Sequence, residues 1–544
     1  MGGFPQRGYW VCGRARPDRA QLTKSEAVAY NKLPNGNCLV KPTQVVMSGS
    51  YEDRNQVLGV SIGGALLVGA LWAIATNAPA NQSEIATDTE ATEVAVETAE
   101  TPTSEPSSLP SPEETNSSTE EETPKILVAV GDRLSWGNKL LFPEAVTPEK
   151  LAAAEAIAAG DYEKAETQLE QSLRNNPNDP EALIYLNNAR IGEGKSYAIA
   201  VAVPIGENAT AAQEILRGAA QAQDAINTTG GIDGIPLKIL IANDDNDPDI
   251  AAQLAQVFAD TPEVLSVIGH FSSDATQAAA QVYQARELVA ISPTSSAVEL
   301  TEGNDYLFRT VPSDRLASSA LANYMSKTLN KQKVALFYNS TDSYSLSLAQ
   351  TFAEEVEGTG GEVVVQFDLN STDFEPEAAM EEAIAREAEV LMFAPDSALL
   401  ETALAVVEAN QNNLPMLAGD SAYTGKSLAI AGDKTVDMVV AVPWHILSDP
   451  DGEFSTAATQ LWKGDVNWRT AMAYDAMQAP IAAMESEATR TKIQQTLSAS
   501  GFQATGASGS VSFLPSGDRQ QSVQLVKIQP GTRTKFGYEF VPIP

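Results

Sequence analysis

The chain has 544 residues, with 71 Asp and Glu against 35 Lys and Arg, and a formal net charge of −36. That charge repels a phosphate backbone and argues against nucleic acid as a partner, and the length leaves room for several domains. The two histidines, His270 and His445, and the two cysteines, Cys12 and Cys38, are too few for the usual zinc sites, and no H-E-x-x-H or C-x-x-C motif occurs.

Both cysteines lie in the first 40 residues. No disulfide therefore staples the rest, which suits an oxidising compartment without requiring one. Residues 1–56 read as a small polar tail with eight Lys and Arg against four acids. The run VLGVSIGGALLVGALWAIAT, residues 57–76, carries no charge over 20 residues, about the length of a membrane-crossing helix. Residues 77–124 hold twelve acids and no Lys or Arg. The positive-inside rule places the tail in the cytoplasm and everything after the span outside. A 56-residue lead is too long for a signal n-region, so the span is expected to stay as an uncleaved anchor in the plasma (inner) membrane. The Ser-, Thr-, Pro- and Glu-rich stretch 77–124 lacks the apolar residues to offset ordering entropy and reads as a disordered acidic linker.

Residues 125–195 follow. KILVAV (125–130) and LLF (140–142) predict a short strand pair. The segment 147–191 then predicts helices. AGDYEKAETQLEQSLRNNPNDPEA resembles one unit of the tetratricopeptide repeat, with Gly160, Tyr162, Ala165, Leu169, Leu173, Pro177 and Ala182 at its packing and helix-ending positions. A lone unit cannot bury its apolar face, so it is expected to dock on a neighbour rather than form a peptide-binding array.

ARIGEGKSYAIAVAVPIG, residues 189–206, matches the loose phosphate-loop pattern through Ala189, Gly194, Lys195 and Ser196. A phosphate loop follows a strand and opens a helix, so that backbone N–H groups face the phosphates. Here a helix precedes and an apolar β-rich run follows, so Lys195 sits in an ordinary connection.

From residue 196 apolar runs alternate with helical ones. The predicted strands are 198–204, 237–244, 264–270, 288–292, 333–339, 362–368, 389–395, 415–420 and 435–443. Alternation of this kind implies α/β lobes with parallel sheets and helices on both faces, and the length implies two lobes. Ligands of such sheets sit off the carboxyl ends of the strands. Three strand ends carry polar clusters: VIGHFSSDATQ, ISPTSSAVELT and LAGDSAY. Hydroxyls and helix N–H groups for a carboxylate, with one carboxylate for an ammonium, together match a zwitterion. A lone His at a strand end with no nucleophile beside it reads as a hydrogen-bonded structural residue, which is the expectation for His270.

Residues 196 to about 540 resemble the leucine/isoleucine/valine-binding protein family, type I periplasmic binding proteins of ABC transporters. GGIDGIPLKILIANDDNDP, the two Ser-rich stretches, YDAMQAPIAAM and FLPSGDR carry the likeness. The resemblance implies two α/β lobes joined by three crossovers that close on a ligand. Lobe one would be about 196–314 plus 443–512 and lobe two the remainder of the domain 196–544. By the same resemblance Ser273 holds a ligand carboxylate, Thr294 and Ser296 bind the head group, Tyr344 is the lobe-two tyrosine, and Asp420 pairs with the ammonium. Asp396 stands where the branched-chain binders have an aromatic residue; a second acid there suits a polar or cationic ligand, or a solvated rim. Phe271 is the expected pocket wall, with Trp444 and Tyr474 as weaker candidates that are equally at home in the core.

The chain therefore reads as a membrane-anchored extracytoplasmic solute-binding protein. The expected ligand is an amino acid or similar small polar solute, and the expected partner an ABC transporter permease or another membrane protein. No cofactor and no metal site are expected. The alternative is a sensor or scaffold that keeps the binding fold without a transport role. An enzyme on this fold would need a metal constellation or a nucleophile–base pair, which the sequence lacks.

Overall fold

Each of the nine predicted strands forms, because each is a short apolar, β-rich run bounded by turn residues. The computed structural model describes residues 130–543. Strand β1 (Leu134–Ser135) is followed by helices α1 (Pro148–Ala158), α2 (Tyr162–Asn175) and α3 (Pro180–Ile191). Lobe one then alternates β2 (Tyr197–Val203), α4 (Ala209–Thr228), β3 (Leu237–Asn243), α5 (Pro248–Asp260), β4 (Val264–Ile268), α6 (Ser273–Arg286), β5 (Ala290–Ser292) and β6 (Leu307–Arg309). Lobe two runs α7 (Asp314–Asn323), β7 (Lys333–Tyr338), α8 (Ser343–Gly358), β8 (Glu362–Asp368), α9 (Pro376–Ala385), β9 (Val390–Ala394), α10 (Leu400–Asn410), β10 (Met416–Ala418), α11 (Gly425–Ile430) and β11 (Val439–Val442). The chain returns to lobe one for α12 (Glu453–Trp462), α13 (Trp468–Met484), α14 (Arg490–Leu497) and the ribbon β12 (Ala504–Gly506) with β13 (Gly509–Val511). It crosses once more for β14 (Gln524–Pro530) and β15 (Tyr538–Pro542).

The first sheet has the order β1-β3-β2-β4-β5-β6 and the second β15-β14-β11-β10-β9-β7-β8. Both are parallel except at one edge, where β1 pairs antiparallel with β3, and β14 and β15 run antiparallel beside β11. Helices cover both faces, so the strands are buried throughout their length in β2, β9 and β11 apart from Tyr197.

Three segments join the lobes, at 310–313, 443–452 and 512–523, and each is tied down by polar contacts. Thr310 Oγ1 donates to the Met472 carbonyl at 2.8 Å, and Gln521 Nε2 to the Pro443 carbonyl at 3.2 Å. Arg309 pairs with Asp518 at 2.6 Å, and Arg519 with Asp475 at 3.3 Å, the latter two side chains almost fully buried. The stretches YDAM and SGDR thus meet each other at the hinge. Lobe one is closed by a tight crossing of α4 and α13, where a Cβ on Gly218 would collide with the Thr470 carbonyl and the Tyr474 amide.

The segment before β2 is built into lobe one. Leu140–Phe142 do not form a strand; Phe142 is buried and leads into a short turn of helix, and the strand that does form is β1, on the sheet edge. Residues 125–129 lie outside the described part. Gly160, at φ +75°, makes the turn between α1 and α2, and Asp161 caps α2 through the Lys164 amide at 3.2 Å. Ala165, Leu169 and Ala182 are fully buried, while Leu173 packs at the margin. Buried Lys150 pairs with Asp179 and Glu181, both at 2.8 Å. Asn188 acts as a substitute strand: its amide donates to the Ile239 carbonyl at 2.7 Å and accepts from the Ile239 N–H at 3.1 Å. Beside β1, this side chain finishes the exposed edge of β3. Lys195 lies exposed in the loop between α3 and β2, the reverse of a phosphate-loop context.

Among the described residues no helix is long and apolar enough to cross a membrane. The predicted span 57–76, the tail 1–56 and the spacer 77–124 lie outside them.

Candidate ligand-binding site

The carboxyl ends of the strands in both sheets face one cavity of about 80 Å³ between the lobes, room for several water-sized groups. Its lobe-one wall begins with the loop after β4. Gly269 and His270 turn the chain there. His270 is fully buried, with Nδ1 at 2.7 Å from Asp244 and Nε2 at 2.9 Å from the Tyr283 hydroxyl. Its carbonyl accepts from Ser292 Oγ at 2.9 Å and Ser295 Oγ at 3.2 Å. Every polar atom of the ring is thus engaged, and His270 is a structural post, as expected.

That post fixes the next three residues. Thr294 Oγ1 donates to the Phe271 carbonyl at 2.7 Å, and Ser272 caps α6 by accepting from the Ala275 amide at 3.2 Å. Ser273 is the first residue of α6, so its amide and that of Asp274 have no intrahelical acceptor. Phe271, Ser273 and Thr294 all line the cavity. Ser296 does not. It is 2% exposed and lies outside the cavity beside the carboxyl of Asp314, where its carbonyl accepts from the Asp314 amide at 2.9 Å. The chain is already turning into the first crossover there, and Ser296 stands apart from the residues that line the cavity. Trp444 and Tyr474 are also off the cavity; both pack on Phe454, at 5.6 and 4.9 Å between ring centroids.

Lobe two supplies Tyr344, Asp396 and Asp420, all on the cavity wall. Tyr344 reaches across Gly419, where a Cβ would strike its hydroxyl, so this position before Asp420 requires glycine. Burial lifts the Asp420 carboxyl to about 6, against the opposing pull of the Arg469 guanidinium and the Tyr344 hydroxyl. Asp396 accepts from Asn339 Nδ2 at 3.1 Å and from the Ala398 amide at 3.0 Å.

Several wall residues were not foreseen. Asp342 caps α8 through the Ser345 amide at 2.8 Å. Burial raises its carboxyl to about 7, and the charges of Asp396 and Asp274 push the same way. Glu207 follows β2 and is likewise raised, by burial and then by Asp396. Trp468 and Arg469 open α13, whose cap Asn467 accepts from the Arg469 amide at 2.8 Å. Arg469 stacks on Trp468 at 4.3 Å and donates to the Tyr423 carbonyl at 3.4 Å. Three helix N-termini, those of α6, α8 and α13, therefore converge on the cavity, each announced in the sequence by Ser, Asp or Asn at the cap.

The lobes touch at the mouth of the cleft. Asp274 of α6 accepts from the Ser343 amide at 3.2 Å and from its hydroxyl, and Ser347 Oγ accepts from the Val298 amide at 3.0 Å. Among the described residues no three acidic, His or Cys side chains are grouped to hold a metal ion.

Two hinged α/β lobes with a cavity between their strand ends define a ligand-binding clamp. The chain belongs to the periplasmic binding protein family, whose model matches residues 198–533. An "Amino acid binding protein" of Pseudomonas aeruginosa is 32% identical over 197 residues, 36% of this chain and 52% of that protein. The match thus spans about half the length of that relative. A "Leucine-, isoleucine-, valine-, threonine-, and alanine-binding protein" of the same organism is 26% identical over 55% of this chain and 81% of its own. Among solved structures, an ABC transporter substrate-binding protein from Desulfitobacterium hafniense in complex with Leu superposes with a TM-score of 0.55 at 23% identity, covering 64% of this chain and all of that one. A solute-binding protein from R. palustris in complex with 4-hydroxybenzoate superposes with a TM-score of 0.56 at 18% identity, over 64% of this chain and 96% of its own. At these identities the structures share the fold; their different ligands leave the choice of solute to the cleft.

Proposed function

We propose that the chain is an extracytoplasmic amino-acid-binding protein, the receptor of an ABC transporter, held to the membrane through residues 57–76 and the acidic linker 77–124. One observation carries the binding reading. The cavity between the lobes has hydroxyl and helix N–H donors on one lobe, around Ser273, and a carboxylate, Asp420, on the other. A zwitterion satisfies both only when the lobes are closed, so binding and closure are one event. The names of the curated relatives support an amino acid as ligand. The site holds no nucleophile beside a base, and the mechanism needs no chemical step.

A thermal-shift screen of the full chain against the twenty amino acids tests this. A ligand at a hundredfold over its Kd adds about 2.7 kcal/mol, a shift of a few degrees in Tm. A selective shift that Asp420→Ala abolishes supports the reading; no shift from a folded sample removes it.

The docking of α1–α3 on lobe one favours a second reading, in which the clamp reports its ligand to a membrane partner. Uptake of the labelled ligand in cells lacking the chain separates the two. Lost uptake supports transport, and unchanged uptake with retained binding supports sensing.

A further inference from the structure

We propose that the preferred ligand is an amino acid whose side chain ends in a cation, an ammonium or a guanidinium, seated against Glu207, Asp342 and Asp396. The inference rests on the amino-acid reading above and names the class of amino acid.

Four carboxylates, those of Glu207, Asp342, Asp396 and Asp420, line a cavity whose single cationic side chain is Arg469. A neutral zwitterion answers Asp420 and the lobe-one donors and leaves the other three acids unanswered. Two of these have local structural work, Asp342 as a helix cap and Asp396 as the acceptor of a turn. That work does not require charge, since Asn and Ser cap as well as Asp. Glu207 stands exposed at the rim of the cavity and makes no hydrogen bond or ion pair among the described residues. Asp342 and Asp396 are half-buried. Like charges placed together are unfavourable unless a cation joins them, and after burial Asp396 also pushes up the pKa of Glu207 and Asp342.

A second observation fixes the other end of the ligand. Trp468 is 1% exposed and Arg469 8%, and neither Trp468 Nε1 nor Arg469 Nε has a hydrogen-bond partner. Both residues line the same cavity as Ser273. The Arg469 guanidinium is the one cationic group on that wall, and a ligand carboxylate is the group it would pair with. The cavity wall thus offers donors for one anion and two separate groups of acids. Asp420 serves the α-ammonium, and the Glu207, Asp342 and Asp396 group serves a distal cation.

Calorimetric titration of the full chain with L-arginine, L-lysine and their neutral counterparts L-citrulline and L-norleucine tests the inference. The cationic members should bind about tenfold or more tightly than the neutral ones. Glu207→Gln and Asp342→Asn, which keeps the helix cap, should each bring the arginine-to-citrulline ratio towards one. If the neutral ligands bind as tightly as the cationic ones, the cationic preference is wrong and the amino-acid reading stands. If the ratio is large but survives both substitutions, the assignment of the distal subsite is wrong. If no amino acid binds to the folded chain, both readings fall.

Discussion

The two walls of the cleft divide the chemistry unequally. Lobe one presents Ser273, Thr294, the N-terminus of α6 and Arg469, which are donors; Glu207 at its rim is the exception. Lobe two presents Asp342, Asp396 and Asp420, which are acceptors. Neither wall recognises a whole zwitterion. The difference teaches how a hinge becomes a switch, since the ligand is the salt bridge that the closed cleft lacks. The hinge itself is built the opposite way, with the charges of the third crossover already paired to lobe one, Arg519 with Asp475 and Asp518 with Arg309. Charges that position the lobes are satisfied by the protein, and charges that select the ligand are left to it.

The largest effect is expected where that contrast is broken at the hinge. Arg519→Met leaves Asp475 buried without its partner, and breaking such a pair costs about 3–5 kcal/mol. Thermal melting should show a large fall in Tm. Ligand affinity measured well below that temperature should change little, because neither side chain lines the cleft. Asp420→Ala should do the reverse. Removing one member of a buried, hydrogen-bonded charge pair costs about 2–5 kcal/mol of binding, so calorimetry should show amino-acid affinity falling roughly a hundredfold, with Tm of the ligand-free chain held or raised. Ser273→Ala removes one donor to a carboxylate, worth about 1.5–3 kcal/mol. Its loss should be smaller than that of Asp420, and equal losses would mean that the two walls do not divide the ligand as described.

Much of this division was legible in the sequence. The strand-end rule reached Phe271, Ser273, Thr294 and Asp420, because in a parallel sheet the loops at the carboxyl ends face one side. The strands it missed are short or edge strands. β6 has three residues, β14 buries only Val526 and Ile528, at alternate positions, as strands buried on one face do, and β15 buries only Phe540. Arg469 was out of reach of that rule, since it opens a helix that returns from lobe two by the second crossover. The signal available was the cap, Asn467, of the same kind as Ser272 and Asp342. Ser296 shows the converse: adjacency to Thr294 in sequence does not put both hydroxyls in the cleft, because the chain is already turning into the first crossover.

Protonation offers a milder test of the acceptor wall. Asp314 and Asp342 sit at about 7 and Asp420 and Asp475 at about 6, above an ordinary value of 3.8, with burial the leading cause in each. Over that window the folded chain holds protons that the unfolded chain has released. Stability therefore falls as pH rises from about 4 to about 7. The ligand-free chain should melt higher at about pH 5 than at about pH 7.5. A saturating amino acid should flatten that slope, since its ammonium favours ionised Asp420. A Tm that rises with pH over this range would remove the account of these four carboxyls as buried acids.

The smallest effect should come from the mouth of the cleft, where the lobes touch without the ligand between them. Ser347→Ala deletes the acceptor for the Val298 amide across the gap. A neutral hydrogen bond of this kind contributes about 0.5–1.5 kcal/mol. Ser347 does not line the cavity, so its loss should leave the ligand's own contacts in place; it also stands beside the buried Asp314 carboxyl, which Asp314→Asn tests separately. Stopped-flow kinetics should then show faster release with little change in association, the pattern of a weakened closed state. Slower association with unchanged release would instead mean that the contact forms before the ligand is captured. In that case the clamp closes first and selects afterwards, and the opposed chemistry of its walls serves to hold the ligand rather than to draw the lobes together.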